Sequence, residues 1–502
     1  MNRKWFLTLI GATLAPTACG RNGTNYSSSN QPALVGQRNR ITKPDFALAI
    51  GKLDLEVARG HVVRTIAYNG QVPGPLLKMP GGRSITVDVK NDTDHDELIH
   101  WHGQIVPDTV DGVAELGTPV IPARGSQRYT FVPQPGGTRW YHSHVSGGAR
   151  AAQGTFTGQF GFVYVEPRND PGRYDREIFL ALHEWEPRLI RISQHAANDA
   201  PSLTRPAMSM NAMQGMMGRG TGGMMGTGSG MQIMSAMSML DAQYALFSVN
   251  GKALGFGEPL QVRQGERILV HLLNASATLT HRIALPGHTF EVIALDGNPI
   301  STPRRVDAIE LGVAERVDAI VETNNPGVWV LGSTQDEYRR RGLGIVVEYA
   351  GRHGTPQWSQ SAQSKWDYVA FGSGRPNAPP EHEFVLELRQ LAMNPDSWGI
   401  NGKSYPNGMD LIVEQGRRYR LTFQNMSMME HPMHLHGHVF ELVSVDGRPM
   451  AGVNKDTVVV RPMMGRVSVD FVADNPGRFL LHCHNELHMD GGLATVLRYA
   501  NR

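Results

Sequence analysis

Residues 431–447 read HPMHLHGHVFELVSVDG, and residues 281–297 read HRIALPGHTFEVIALDG. Gly437-His438-Val439-Phe440-Glu441 repeats Gly287-His288-Thr289-Phe290-Glu291, and Asp446-Gly447 repeats Asp296-Gly297. A short run of aromatic and β-branched residues closing on Asp-Gly predicts a strand that enters a tight hairpin turn. One β unit is therefore written at least twice.

The unit also extends outward from these stretches. Asn69-Gly70 precedes Gly82 and Asn91, Asn250-Gly251 precedes Gly265 and Asn274, and Asn401-Gly402 precedes Gly416 and Asn425. Pro135-Gly136-Gly137, Asn325-Pro326-Gly327 and Asn475-Pro476-Gly477 mark one late turn in all three. Long 3.6-residue periodicity is scarce, so the chain reads as all-β, with three related β-sandwiches. The expected boundaries are 41–168, 169–355 and 356–502.

The repeat supplies an internal control. Where the third unit has His434-Leu435-His436, the second has Ala284-Leu285-Pro286; where the third has His482-Cys483-His484, the second has Gly332-Ser333-Thr334. The second unit keeps the frame and lacks the chemistry.

Four His-x-His triplets occur: His100-Trp101-His102, His142-Ser143-His144, His434-Leu435-His436 and His482-Cys483-His484. Residues i and i+2 of a strand share a face, so each triplet presents two imidazoles side by side. Two triplets lie in the first unit and two in the third, so an interface between those units would collect eight imidazoles. Imidazole suits several metals, whereas the cysteine selects among them. Cys483 points to the opposite face of its strand, where it can meet His488 and His431. Two imidazoles and a thiolate are the trigonal blue-copper arrangement. The strand then links two metal sites, and Cys483 with its backbone is the electron path to His482 and His484. His61, His95, His183, His195, His271, His281, His288, His353, His382 and His438 are read as ordinary polar residues.

A length of 502 residues and 40% hydrophobic content fit two to three globular domains. The 48 basic and 46 acidic side chains nearly cancel, which removes any charge argument for nucleic acid or a polybasic membrane patch. Asn2-Arg3-Lys4, the apolar run Trp5 to Ala15 and the small residues up to Cys19 form a signal-peptide layout, so export to the periplasm or outside the cell is expected. Arg3-Lys4-Trp5-Phe6-Leu7 is similar to a twin-arginine signal whose second arginine has become lysine. Cys19 is a candidate lipid-bearing cysteine, although Pro16 stands where that motif usually has leucine; a membrane anchor follows only in that case. Residues 20–40 read as a flexible tether. Cys19 and Cys483 are the two cysteines, so no structural disulfide is expected.

HWHG at 100–103, WYHSH at 140–144, HPMHLHGH at 431–438 and HCHNELH at 482–488 closely resemble the four copper motifs of the multicopper oxidases, in the family's order. The resemblance covers about residues 45–502. It implies three cupredoxin-like Greek-key β-sandwich domains and four coppers. Position by position, His431, Cys483 and His488 would hold the type 1 copper and His100 and His434 the type 2 copper. His102, His142, His144, His436, His482 and His484 would hold the type 3 pair. The implied reaction couples one-electron oxidations at type 1 to reduction of O₂ to water at the trinuclear cluster. Asp111 matches the family's acidic residue near the cluster and is the proton-relay candidate, or else a turn aspartate before Gly112. At the axial position stands Leu493, where many bacterial members have methionine, which predicts a raised potential. After His488, where several relatives carry glutamate, stand Met489 and Asp490.

Residues 208–239 hold Met208, Met210, Met213, Met216, Met217, Met224, Met225, Met231, Met234, Met237 and Met239 among small residues. This insert resembles those of bacterial copper-tolerance oxidases, although it sits in the second domain. Thioethers are soft Cu(I) ligands, while methionine is also an adaptable packing residue. Met426, Met428, Met429 and Glu430 precede His431 as a second candidate Cu(I) group. A monomeric Cu(I) oxidase with phenol or aromatic amine side activity is the first expectation, a general laccase the second. A non-enzymatic cupredoxin-fold protein is opposed by the complete ligand sets, and a copper nitrite reductase by its lack of need for the type 3 histidines.

Overall fold

Along Ile85–Asn91 the even spacing of Ile85, Val87, Val89 and Asn91 turns these side chains inward, while Thr86, Asp88 and Lys90 face out. This two-residue period recurs through the computed structural model, which describes residues 43–167, 173–193, 238–359, 365–374, 379–391 and 396–500, the side chains of 192, 193, 238 and 239 excepted. The expected signal peptide, Cys19, the 20–40 tether, His195 and the insert up to 237 lie outside the described residues.

Six sheets form three face-to-face pairs. The first pair joins the sheet His61–Tyr68, Phe46–Ala58, Ile85–Asn91, Ser126–Phe131 to the sheet Gly74–Met79, Phe160–Val165, Gly137–Ser143, Ile99–His100. The second and third pairs are larger, and their five-stranded sheets match strand for strand. Leu260–Val262, Gly344–Tyr349, Val328–Ser333, His281–Ala284 and Ala308–Leu311 correspond to Leu411–Val413, Ala494–Tyr499, Arg478–Cys483, His431–Leu435 and Thr457–Val460. The other sheets of these two sandwiches are built on the six strands from Ser238–Val249 to Asn298–Val306 and on seven strands including Arg418–Asn425 and Arg466–Val472. Each sandwich is thus filled by apolar residues from two facing sheets.

The repeated polar residues are structural. Asn69, Asn250 and Asn401 adopt left-handed φ of 53°, 50° and 51° ahead of a left-handed glycine. Their side-chain carbonyls accept from Ala49, Ala181 and Glu387 N–H, which ties each turn to the preceding strand. Asn91, Asn274 and Asn425 are buried and donate to loop carbonyls: Asn425 to those of Met429, Val460 and Arg461, Asn274 to those of Leu279 and Leu311. A buried amide must be paired, so these positions stitch loops in every unit. His288 and His438 are another matched pair, held by Tyr349 at 2.6 Å and Tyr499 at 2.8 Å.

Candidate metal centre

Strand pairing sets the first level of order. His100 is directly opposite His142, and His434 is directly opposite His482, in antiparallel ladders of the first and third sandwiches. These two ladders meet. His100 Nε2 lies 3.3 Å from His434 Nε2, and His436 Nε2 lies 3.0 Å from His482 Nε2. The rings of His102 and His434 stack at 3.7 Å, and those of His100 and His436 at 3.8 Å. His484 completes the group, its ring centre 5.1 Å from those of His102 and His142. The four triplets therefore converge between sandwiches whose triplet histidines lie 290 to 384 residues apart.

The outer nitrogens are fixed one by one. Nδ1–H of His100 donates to the Asp111 peptide carbonyl (2.5 Å), of His434 to that of Asp456 (2.8 Å), of His142 to that of Ser143 (2.8 Å) and of His482 to that of Cys483 (3.0 Å). His436 Nδ1–H donates to the Asp111 carboxylate at 2.7 Å. An outward Nδ1–H leaves Nε2 as an inward lone pair. His102 is turned the other way: its Nε2 faces Asp456 Oδ1 and Thr457 Oγ1, both at 3.1 Å, and its buried Nδ1 has no partner. His142, His144 and His484 likewise have partnerless buried Nε2 atoms.

These nitrogens fit a metal. Burial holds the eight imidazoles below the ordinary histidine range, and neighbouring imidazoles add to the effect at all but His434, where the Arg316 charge does so; all are thus neutral, as ligands must be. Facing nitrogens at 3.0–3.3 Å match two cis ligands, each about 2 Å from a shared ion. His100–His434–His436, His100–His102–His142 and His144–His436–His482 each bring three ligand atoms within 4.8 Å.

On the other face of the same strand, Cys483 Sγ lies 3.7 Å from His431 Nδ1 and 3.5 Å from His488 Nδ1, and those nitrogens are 3.1 Å apart. His431 Nε2 is held by Ser427 Oγ at 2.8 Å. Asn485 caps the helix Glu486–Asp490, accepting from the N–H groups of Leu487 and His488, and so aims His488. Burial pushes the Cys483 thiol up, so a bound cation is what would hold it as thiolate. Leu493 is fully buried; its N–H donates to the His488 carbonyl and its own carbonyl accepts from Cys483 N–H.

The second sandwich shows the same frame without the thiol. Ser333 pairs with Ile283 as Cys483 pairs with Met433, and His281, in the place of His431, is engaged by Ser276 at 2.8 Å.

The second sandwich contributes to the centre by another route. Arg316 forms a two-pronged ion pair with Asp456, its Nη1 at 2.7 Å, and Asp456 in turn faces His102 and His434. Arg139, Asp296, Lys455 and Glu315 surround this pair, all fully buried, so the three sandwiches share one charge knot. Sequence reasoning missed Arg316 and Asp456. A signal existed: Thr457 pairs with His434 as Ala308 pairs with Ala284, which aligns Asp456 with Asp307.

Sequence reasoning also missed Glu486, having looked only beyond His488. Its buried carboxylate accepts from Gly147 N–H at 2.8 Å and Thr155 Oγ1 at 2.7 Å, and burial with Asp490 nearby pushes it up to about 8. Asp490 ends the same helix, and burial raises its carboxyl too. Asp111 is no mere turn residue: it lies in the helix Asp108–Asp111, buried, with Oδ1 3.6 Å from His100 Nδ1 but without a hydrogen-bond partner, and its carboxyl is raised by burial and by Asp108.

The candidate Cu(I) group before His431 divides. Met426 and Met428 are exposed, whereas Met429 packs against the core. Glu430 reaches the second sandwich, where its carboxylate accepts from Thr280 Oγ1, and burial raises its carboxyl. Of the insert, Met239 lies in the strand Ser238–Val249.

Multicopper oxidase family profiles match residues 50–170, 211–344 and 377–502. The multicopper oxidase MmcO of Mycobacterium tuberculosis is 32% identical over 500 residues, covering 98% of this chain and 94% of that protein. The chain belongs to the multicopper oxidase family. Copper resistance protein A of Escherichia coli is 25% identical, covering 90% of this chain and 92% of its own length. Among solved structures, Fet3p, a multicopper oxidase that functions in iron import, superposes with a TM-score of 0.71 at 20% identity, covering 91% of this chain and 90% of Fet3p. This multicopper oxidase is accordingly a copper-binding oxidoreductase that uses O₂ and a reductant, and its fold is a set of cupredoxin-type β-sandwiches.

Proposed function

We propose that this multicopper oxidase is an exported cuprous oxidase of copper tolerance, with phenol oxidation as a side activity. His431, Cys483 and His488 would hold the type 1 copper and His100 and His434 the type 2 copper. His102, His142, His144, His436, His482 and His484 would hold the type 3 pair. The observation that carries the assignment is the orientation of the nitrogens: Nδ1 of His100, His142, His434, His436 and His482 is tied outward, while Nε2 of His142, His144 and His484 and Nδ1 of His102 are buried without a hydrogen-bond partner. Bound copper supplies one-electron oxidation and the reduction of O₂ to water.

The chain's own residues do the rest. Cys483 joins the thiol site to His482 and His484 through one stretch of backbone, so an electron has a short covalent path. Asp111 Oδ1 can carry a proton on one side of the cluster, and Glu486, poised near neutrality, can hold one on the other. Arg316 keeps Asp456 ionised and aimed at His102. Leu493, bonded through its backbone to Cys483 and His488, has a side chain with no ligand atom and so would add no donor to a copper held there.

For the substrate, support comes from the exposed methionines beside His431, from the insert's composition, and from relatives named for copper resistance. The test compares O₂ consumption by the copper-loaded protein with Cu(I) and with a phenol, with and without residues 208–239. A fall in Cu(I) oxidation on deletion, with the blue absorption intact, is expected. A Cu(I)-to-phenol ratio untouched by the deletion would favour a general laccase.

A further inference from the structure

The second sandwich repeats the frame of the thiol site residue by residue. His281 pairs with Leu311 as His431 pairs with Val460, and the helices Asp336–Arg340 and Glu486–Asp490 place Tyr338 where the third sandwich has His488. Leu343 N–H donates to the Tyr338 carbonyl as Leu493 N–H donates to that of His488, both at 2.9 Å. The Phe247 ring stacks on Tyr338 at 4.6 Å, as Trp398 lies against His488 at 4.3 Å. Ser276 N–H donates to Asn274 as Ser427 N–H donates to Asn425, and each serine hydroxyl lies 2.8 Å from Nε2 of its histidine. With Ser333 and Tyr338 in the ligand places, this frame lacks the thiolate and second imidazole of a blue site.

One exchange adds charge to it. Glu184 pairs with Phe247 across its ladder as Gln390 pairs with Trp398, so a carboxylate stands where the third sandwich has a neutral amide. Glu184, His281 and Ser276 are all buried, and neither carboxylate oxygen of Glu184 has a hydrogen-bond partner. Glu184 Oε1 lies 3.4 Å from His281 Nε2, the nitrogen that Ser276 Oγ also faces. Burial, with the Glu184 charge nearby, raises the phenols of both Tyr338 and Tyr244. A carboxylate taken out of water without hydrogen bonds is among the least tolerated of buried groups, and buried charges are otherwise paired or coordinated to a metal.

We propose that Glu184, His281 and Ser276 form a divalent-metal site in the second sandwich, separate from the copper centres, for an ion of the Zn(II) and Cu(II) class. An imidazole nitrogen with a carboxylate oxygen suits borderline divalent ions, and a donor set without sulfur disfavours Cu(I). Donors 2.8 Å and 3.4 Å from Nε2 match cis ligands that are each about 2 Å from one ion, and Glu184 Oε2 is available as a further donor. The ion ties the strand Arg176–Ser193 to the loop that follows Asn274. That loop carries the Ala277 and Thr278 carbonyls, which accept from Glu486 N–H at 3.0 Å and from Asn485 Nδ2 at 3.3 Å. It thereby braces, from the second sandwich, the helix that aims His488.

The full-length protein is produced with copper and zinc both supplied, dialysed, and its metals counted by atomic emission. Glu184→Gln and His281→Gln keep a polar side chain, and their blue absorption checks the fold. Each is expected to carry one metal equivalent fewer than wild type with the blue absorption intact. A missing equivalent of zinc identifies the ion as Zn(II); a missing equivalent of copper, with loss of one non-blue paramagnetic signal, identifies it as Cu(II). Should one variant lose its blue absorption, the other decides. Metal content equal to that of wild type in a variant that keeps its blue absorption overturns the site.

Discussion

The Asp111 carboxylate of the first sandwich accepts a hydrogen bond from His436 Nδ1 of the third at 2.7 Å, while its peptide carbonyl accepts one from His100 Nδ1 at 2.5 Å. One residue thus orients an imidazole from each side of the cluster, and its second carboxyl oxygen is left without a hydrogen-bond partner. Asp111→Asn keeps an acceptor for His436 and removes the exchangeable carboxyl proton. Reoxidation of the fully reduced protein by O₂ should slow by about 10²-fold, the lower range for a lost general acid, while reduction of the blue centre by substrate keeps its rate. Stopped-flow traces of the two half-reactions separate these effects, and equal slowing of both would refute the relay.

Arg316 has no bond to any histidine, yet it is the principal counter-charge of Asp456. Arg316→Met strands a buried carboxylate, which is expected to cost about 3–5 kcal/mol and to loosen the cluster. Thermal unfolding and copper content should both fall, and the double variant Arg316→Met/Asp456→Asn should recover most of the unfolding loss. No recovery would show that packing, not charge, is at stake.

A thioether at position 493 would donate to an oxidised copper where leucine does not. Leu493→Met should therefore lower the type 1 potential with little change in stability, since the two side chains are close in volume. Redox titration of the blue band decides it; a potential equal to or above that of wild type would remove Leu493 as the cause.

His271 is buried beside Asp318 (2.8 Å) and Glu177 (3.6 Å), with Thr138 of the first sandwich in the same cluster. Burial alone would lower its pKa, but the Asp318 and Glu177 carboxylates outweigh it and bring it to about 9. With the folded value above the unfolded 6.5, the stabilisation is full below about pH 6.5 and disappears as pH rises through 9. The shift corresponds to about 3 kcal/mol. Chemical denaturation of wild type should lose this stability between pH 7 and 10, and His271→Gln should show a flatter profile; parallel profiles would exclude His271.

Much of the fold was legible because its period is local. The Asp-Gly and Asn-Gly turns at 296, 446, 69, 250 and 401 are where left-handed backbone is found, and the two-residue alternation decides which face each triplet presents. Two repeated asparagine positions carried more than a turn signal, because their amides reach strands and loops up to 69 residues away. A long-range contact was not legible: Glu430 borders His431 in sequence, while its carboxylate accepts from Thr280, 150 residues distant.

By itself the sequence determined the ligand inventory, four His-x-His triplets and one cysteine with two further histidines, and the repeat frame in which the second unit lacks them. These follow from strand geometry, which operates over a few residues. Only the tertiary structure decided that His102 faces inward with the opposite nitrogen, that the second sandwich reaches the centre through Arg316 and Asp456, and that Glu486 sits buried near neutrality. Each of these depends on which surfaces pack together across 140 to more than 330 residues of chain. Packing of that kind follows from the summed complementarity of whole faces, and no local spacing encodes it.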